Sequence, residues 1–229
     1  MRNFVVVFAV VLLVGTAFAG ISNTYTGFDL GSGSTATNTN SDAAALAFDT
    51  ATGFLPKITF ESSPLGPFSS LVVAPGVTLT GSDIGGSNQT IINTTLCTNA
   101  LCGYNITLGG SQWASLYGGS VTFTFTTPIS AFGAYFTGVQ VPGINISFFD
   151  GSSQSVPIPG DYNNGGTAFV GFTDTAANIS SVTIVGLNDI MGVDDVRYSG
   201  AATPEPGTLV MFGSGILGLA GVLRRKINL

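Results

Sequence analysis

Histidine is absent from this chain of 229 residues, and its absence limits the chemistry that the side chains can perform. A Ser-His-Asp triad, a Cys-His nucleophile pair and a His-ligated zinc site all need the imidazole ring as base or ligand. Carboxylates are the acid and base groups that are left. Two of them, placed roughly 5–9.5 Å apart, are enough for glycoside hydrolysis.

Glu61, Asp194 and Asp195 are the candidate carboxylates. Glu61 ends KITFE, the first clear strand pattern, and the two aspartates lie in GVDDVRY, the last one. As a facing pair they would suit a glycoside hydrolase or lyase. As neighbours around a cation they would suit Ca²⁺, which takes six to eight oxygen ligands. Carboxylates at strand ends are also commonly solvated. We predict that the chain is not an enzyme, has no catalytic residues and needs no cofactor beyond a structural calcium.

Aromatic side chains that could stack on sugar rings are the second candidate for binding chemistry. The residues in question are Trp113, Tyr117, Tyr104 and Tyr162. The alternative is that Trp113 and Tyr117 belong to the core or its rim. We keep both interpretations at this point.

The first residues, MRNFVVVFAVVLLVGTAFAG, predict a secretory signal peptide spanning 1–19. Arg2 supplies the positive n-region, residues 4–14 form the apolar h-region, and Ala17-Phe18-Ala19 is a small-residue cleavage pattern. A membrane anchor or a buried strand is the alternative. The apolar run is short for a membrane span, and a cleavage site follows it directly. We therefore expect an exported protein.

The carboxyl end carries a second apolar segment. Residues 208–223 hold no charge, which approaches the roughly 17–25 residues of a transmembrane helix. Arg224, Arg225 and Lys226 follow at once, and such positive clusters stay on the cytoplasmic side of a membrane. The sequence therefore predicts a transmembrane helix at 208–223 with the body outside.

The order of features at this end resembles a known sorting signal. Pro204-Glu205-Pro206, the apolar span and the Arg224-Arg225-Lys226 cluster together resemble the PEP-CTERM signal of exported proteins from Gram-negative bacteria, many of which make exopolysaccharide. The resemblance implies that an exosortase recognises the Pro-Glu-Pro element and removes the span. It also implies a transient stay in the inner membrane, followed by the cell surface or extracellular matrix.

Cys97 and Cys102 are the two cysteines of the chain, in the stretch LCTNALC. Outside the cytoplasm a disulfide is the first interpretation of such a pair. A metal site or a redox dithiol is the alternative. The spacing is not C-x-x-C and histidine is absent, so we predict a structural disulfide.

Alternation of apolar and polar residues dominates the middle of the chain. SVTFTFTT, INISFF and SVTIVG place Phe and β-branched residues at every second position, as half-buried strands require. Short strands separated by glycine-rich turns predict an all-β domain, an antiparallel β-sandwich of the jelly-roll type, at 57–200. The stretch from KITFE at 57–61 to GVDDVRY at 192–198 also resembles the jelly-roll bodies that are frequent in PEP-CTERM proteins. Sugar-binding jelly rolls often carry calcium between their first and last strands, which favours the calcium interpretation above.

The region before this domain, 20–56, is predicted to be a polar leader with one short helix. Residues 23–40 are rich in Thr, Asn, Gly and Ser, which is typical of a loose segment. In NSDAAALAFDTATG, Ser41 can cap a helix near 41–51 and Gly53 can end it. The sorting signal at 203–229 completes the predicted organisation.

The body is strongly acidic. Between Gly20 and Thr203 there are two cations, Lys57 and Arg197, and eleven acids, which gives a net charge of −9. Binding to nucleic acid needs clustered Lys and Arg, so we exclude it. We predict an exported envelope or matrix protein with a structural or adhesive role. The alternatives are a carbohydrate-binding module for exopolysaccharide and, in a different class, a glycoside hydrolase or lyase.

Overall fold

The computed structural model describes residues 20–33, 37–97, 101–141, 143–149, 153–174 and 178–199. Along these residues the order is β1 (Ile21–Leu30), α1 (Thr39–Thr52), β2 (Lys57–Ile58), β3 (Gly66–Phe68), β4 (Ser70–Ala74), β5 (Val77–Ser82), β6 (Gln89–Ile92), β7 (Trp113–Ile129), β8 (Ala131–Thr137), β9 (Asn145–Phe149), β10 (Ser153–Pro157), β11 (Gly166–Asp174) and β12 (Ile179–Tyr198).

Two long strands, β7 and β12, bend and so take part in two halves of the sheet. In the first half, β1, β11, β8 and the second part of β12 lie side by side, followed by the first part of β7. In the second half the order is β10, β9, the first part of β12, the second part of β7, β5 and β4. The pairings within both halves are antiparallel.

Glycines make the bend in β7 possible. Gly118 and Gly119 have φ of +63° and +64°, a region that costs other residues free energy. A Cβ on Gly119 would lie 2.1 Å from the carbonyl oxygen of Ser82, so a side chain does not fit there. β12 shifts its register against β7 around Leu187, which also has positive φ. The two paired strands therefore turn together.

Phenylalanine rings fill the space between the two halves. Phe148 of β9 stacks on Phe172 of β11 with ring centroids 4.3 Å apart. Phe123 of β7 contacts Phe132 of β8 at 5.7 Å. Each pair joins one half of the sheet to the other, and burial of such a side chain contributes about 1.5–3 kcal/mol. The result is a two-layered antiparallel structure around an apolar core.

The helix α1 packs on the outer face of the first half, where Phe48 is fully buried against Tyr25 and Phe169. Its first turn is capped from β1, because the Asp29 carboxylate accepts the backbone N–H of Asn40 at 2.9 Å and of Ser41 at 2.7 Å. These are two of the N–H groups that a helix leaves without internal partners. The helix is thereby fixed to the sheet by a strand residue.

The predictions of an all-β antiparallel chain and of a short helix near 41–51 are confirmed. Gly53 ends that helix with φ of +84°, as predicted, whereas Ser41 lies inside the helix and the capping group is Asp29. The finer jelly-roll assignment stays a prediction.

The prediction of a loose leader is wrong. Residues Ile21–Leu30 form a ten-residue strand that pairs with β11, and the packed helix follows it. The strand predicted over KITFE is shorter than expected, because only Lys57 and Ile58 pair with β12. Phe60 has φ of +60° and turns the chain, so Glu61 lies in a turn.

The predicted signal peptide at 1–19 and the predicted sorting signal at 203–229, with its transmembrane helix at 208–223, lie outside the described residues. Within the ranges that the structure describes, no helix combines the length and apolar character needed to cross a bilayer.

Candidate functional site

A cleft of about 410 Å³ lies between the start of α1, β8, the second part of β12 and the loop at 105–112. Lys57 and Arg197, the two cations of the acidic body, both line this cleft. The lining residues are Asn38, Asp42, Lys57, Asn105, Ile106, Thr107, Leu108, Gly109, Gly110, Tyr135, Asp195 and Arg197. Its volume falls within the range of roughly 300–1,000 Å³ typical of small-molecule sites.

Arg197 forms the buried floor of the cleft. It is 3% exposed, and its Nε lies 2.9 Å from Oδ1 of Asp49 on α1. Its guanidinium carbon lies 5.3 Å from the ring centroid of Tyr135 and 5.2 Å from that of Phe169, within cation–π range. One terminal nitrogen also donates to the Asp195 carbonyl oxygen at 3.0 Å. Arg197 therefore ties the helix to β12.

Lys57 and Tyr135 hold the acidic side chains at the mouth. The Lys57 ammonium donates to Oδ2 of Asp195 at 3.0 Å, and its side chain is 41% exposed. The Tyr135 hydroxyl donates to Oδ1 of Asp42 at 2.7 Å. Burial, followed by this hydrogen bond to a carboxylate, raises the pKa of Tyr135, so the phenol stays protonated. We refer to Lys57, Arg197, Asp49 and Asp195 as the ionic cluster.

Two carboxylates fix the loop at 105–112 that forms one wall of the cleft. Near its start, Oδ2 of Asp194 accepts the backbone N–H of Ile106 at 2.9 Å and of Thr107 at 3.2 Å. Near its end, Oε1 of Glu61 accepts the N–H of Ser111 at 2.8 Å and of Gln112 at 2.9 Å. Asp194 is fully buried, and this burial raises its pKa to about 7.

Glu61, Asp194 and Asp195 are thus assigned to structural contacts. Glu61 binds one end of the loop, Asp194 binds the other, and Asp195 faces Lys57. Across the described residues no set of three or more His, Cys, Asp or Glu side chains could hold a metal ion. The calcium interpretation stays a prediction.

The four candidate sugar-binding aromatics do not form one platform. Trp113 and Tyr104 are each only 2% exposed, so the prediction that they stack on sugars is wrong. The Tyr104 hydroxyl is held inside the body by Ser32 and Thr167. Tyr117 and Tyr162, in contrast, are 56% and 62% exposed and stay candidates. The burial of Trp113 agrees with the alternative given above, in which this residue belongs to the core.

The residues that build the cleft were not among the sequence candidates, apart from Asp195. Two of them, Asn38 and Asn105, have a buried Oδ1 that receives no hydrogen bond within the described part of the chain. A buried amide oxygen without a donor costs free energy. Asn38 and Asn105 are 67 residues apart along the chain, so no local sequence pattern indicated that they line one cleft.

The disulfide between Cys97 and Cys102 is confirmed, with sulfur atoms 1.99 Å apart. It follows β6 and precedes the loop of the cleft. Gly103, directly after it, donates its N–H to the Ile190 carbonyl oxygen at 3.1 Å. The crosslink therefore restrains the approach to the cleft loop.

Comparison with known protein families identifies the carboxyl end. Residues 202–226 match the PEP-CTERM protein-sorting motif, which includes Pro204-Glu205-Pro206 and Arg224-Arg225-Lys226. A search of curated proteins finds no match to the chain. The chain therefore carries the sorting motif predicted from its sequence, attached to a β-rich body, and the motif implies an exported protein that an exosortase processes.

Proposed function

We propose that the protein is a non-enzymatic structural or adhesive component of the cell surface or extracellular matrix, delivered there by its PEP-CTERM motif. The chain then passes through the inner membrane of a Gram-negative bacterium, is cut near Pro204-Glu205-Pro206 and is released or attached outside. The motif at 202–226 supports the sorting step.

The structural role is supported by the contacts of the acidic side chains, which accept hydrogen bonds from backbone N–H groups. Asp29 caps α1, Asp194 and Glu61 fix the cleft loop, and Asp189 accepts the N–H groups of Gln140 and Val141 at 2.7 and 3.1 Å. Each carboxylate holds backbone in place, where a glycosidase would need two of them facing a shared substrate. The geometry favours a stable displayed body.

Replacement of Pro204, Glu205 and Pro206 by Ala tests the sorting step. In an exosortase-containing host we expect the variant to accumulate uncut in the inner membrane, while the parent chain reaches the surface. Pro64→Ala, at an exposed proline of the body, serves as the matched control and should be sorted normally. Normal surface delivery of the triple variant would contradict the proposal.

The cleft favours carbohydrate binding as a second candidate function. It presents the buried amide oxygens of Asn38 and Asn105 as acceptors without donors, together with the Asp42 carboxylate and the Lys57 ammonium. A neutral sugar offers hydroxyl groups that both donate and accept, so it can satisfy such a mixed set. The structural disulfide and the clamped loop would keep the cleft preformed.

A glycan array on residues 20–203, read with and without calcium, tests this candidate. We expect binding to specific neutral glycans that Asn38→Ala abolishes. Asn38 makes no side-chain capping bond to α1, so this substitution leaves the helix contacts in place. Asn93→Ala, at an exposed position just after β6, is the control. An absence of glycan binding, or binding that Asn38→Ala leaves unchanged, would exclude the cleft as the sugar site. Dependence on calcium would identify a metal-assisted site instead.

A further inference from the structure

We propose that the body is presented to the membrane by one fixed end, the end at which β1 begins and β12 ends. We call it the membrane-facing end. The inference rests on the export and sorting proposed above. Beyond that function, the inference assigns one end of the body to the bilayer and the processing enzymes, and the opposite end to the outside.

Strand pairing brings the first and last described residues together. Ile21 at the start of β1 pairs with Asp174 at the end of β11. The N–H of Asp174 donates to the Ser130 carbonyl oxygen at 2.7 Å, and the Ser130 hydroxyl lies 2.9 Å from that of Ser199. The two ends of the body are therefore three strand intervals apart, about 14 Å at about 4.8 Å per interval.

Both apolar segments of the sequence are attached close to this end. The predicted h-region stops at residue 14, six residues before Gly20, and the span begins at residue 208, nine residues after Ser199. An extended chain reaches at most about 3.3–3.6 Å per residue, so connections of six and nine residues can place the apolar segments no farther than about 20 and 30 Å from the body. Whichever segment is removed first, the other still holds the body by the same end.

The surface of the membrane-facing end suits proximity to lipid. The described side chains at its strand ends include the uncharged Ser22, Thr173 and Ser199, and Asp174 is only 2% exposed. The first turn of helix α1 contacts Asp29 near the end of β1, and Phe48 in its last turns contacts Tyr25 nearer the start of β1. The helix therefore runs toward the start of β1. Phe54, just beyond its end, is 71% exposed. Phe is one of the apolar residues that membrane-surface segments bury at the boundary between lipid headgroups and acyl chains.

The opposite end carries exposed residues that would point away from the membrane. Leu30 lies about 30 Å from Ile21 along β1, and the N–H of Gly31 donates to Gly165 in the loop that holds Tyr162. Gln140 connects this loop to the bend of β12, since its side chain donates to the Tyr162 carbonyl oxygen and its N–H donates to Asp189. The exposed Tyr117 pairs with β12 at the same bend.

Energy transfer from single labels to the bilayer tests the orientation. The full-length precursor is produced in a host without an exosortase, so that its span is retained, and is reconstituted in vesicles that contain an acceptor dye on the lipid headgroups. Thr127→Cys lies near the membrane-facing end and Asn163→Cys in the opposite loop, and both positions are exposed. Cys97 and Cys102 are bonded to each other, so a membrane-impermeant maleimide dye labels the introduced cysteine alone.

We expect clearly higher transfer from position 127 than from position 163, and loss of transfer from both in a chain that ends at Thr203. Equal transfer, or higher transfer from position 163, would overturn the orientation. Fractionation of the same precursor gives a separate readout. A precursor that does not associate with membranes contradicts the proposed sorting function itself, whereas a membrane-bound precursor with the wrong transfer order contradicts the orientation alone.

Discussion

The phenylalanine core and the ionic cluster beneath α1 stabilise the molecule in different ways. The core joins the two halves of the sheet through non-directional contacts such as Phe123 with Phe132. The ionic cluster joins the helix to β12 through directed contacts of Arg197 with Asp49 and Asp195. The core is spread over many residues, while the cluster depends on one buried guanidinium group.

This difference shows how the two regions respond to change. When a side chain of the apolar core is shortened, the free energy of unfolding falls with the volume of the cavity that is left, and the surrounding residues relax partly into that cavity. Movement of the neighbouring residues does not compensate for a buried charge that has lost its partner. An unpaired carboxylate inside a protein lowers the free energy of unfolding strongly. The core determines whether the body folds, and the ionic cluster determines whether the helix and cleft are held in place.

Phe132→Ala is expected to have the largest effect. Phe132 is fully buried and contacts Phe123, Phe125 and Phe172 from both halves of the sheet. We expect a loss of about 4 kcal/mol in the free energy of unfolding, measured by urea denaturation. A loss below about 1 kcal/mol would show that the two halves do not depend on this contact.

Arg197→Met removes the cation of the ionic cluster and should cost about 3 kcal/mol, because Asp49 and Asp195 stay buried. Lys57→Met is the matched control. Its side chain is 41% exposed, so its ion pair with Asp195 contributes only about 0–1 kcal/mol. Equal losses for the two variants in the same denaturation experiment would contradict the different roles assigned to the two cations.

The pH dependence of the free energy of unfolding should reflect the ionisation of the Asp194 carboxyl group. Burial raises its folded-state pKa to about 7, above the ordinary value of 3.8, so the folded protein keeps a proton that the unfolded chain releases. The free energy of unfolding should therefore fall as pH rises from about 4 to about 7, by up to about 1.4 kcal/mol per pH unit from this group.

Asp194→Asn should flatten that slope, whatever its effect on absolute stability. The measurement is a series of urea denaturations between pH 4 and pH 7 on the parent chain and the variant. An unchanged slope would assign the pH dependence to other groups, such as Asp189, whose pKa burial also raises.

Asp29→Ala should have a smaller effect than the Phe132 and Arg197 substitutions, about 1 kcal/mol, because it removes the cap of α1. Asp29→Asn keeps an oxygen that can accept the N–H of Asn40 or Ser41 and should restore most of the loss. Hydrogen exchange at the first turn of α1 checks the mechanism, since exchange there should increase in the Ala variant and recover in the Asn variant.

The core was predictable from the sequence, and the cleft was not. Alternation in SVTFTFTT assigned Phe123 and Phe125 to one face, because the side-chain period of a strand is fixed at two. The disulfide followed from compartment and spacing. Arg197, Asp49 and Asn105 come from distant parts of the chain, and no local pattern indicates that they meet. Composition suggested a loose segment for β1, but its pairing with β11 provides the order that local propensity does not.

Removal of the sorting signal is tested most directly by C-terminal peptide mass spectrometry of the mature protein recovered from the surface of its own cells. The sorting motif at 202–226 predicts that the apolar span and the Arg224-Arg225-Lys226 cluster are missing, and that the last peptide ends near Pro204-Glu205-Pro206. Recovery of peptides that extend to Leu229 would contradict this prediction and show that the carboxyl end is a permanent membrane anchor.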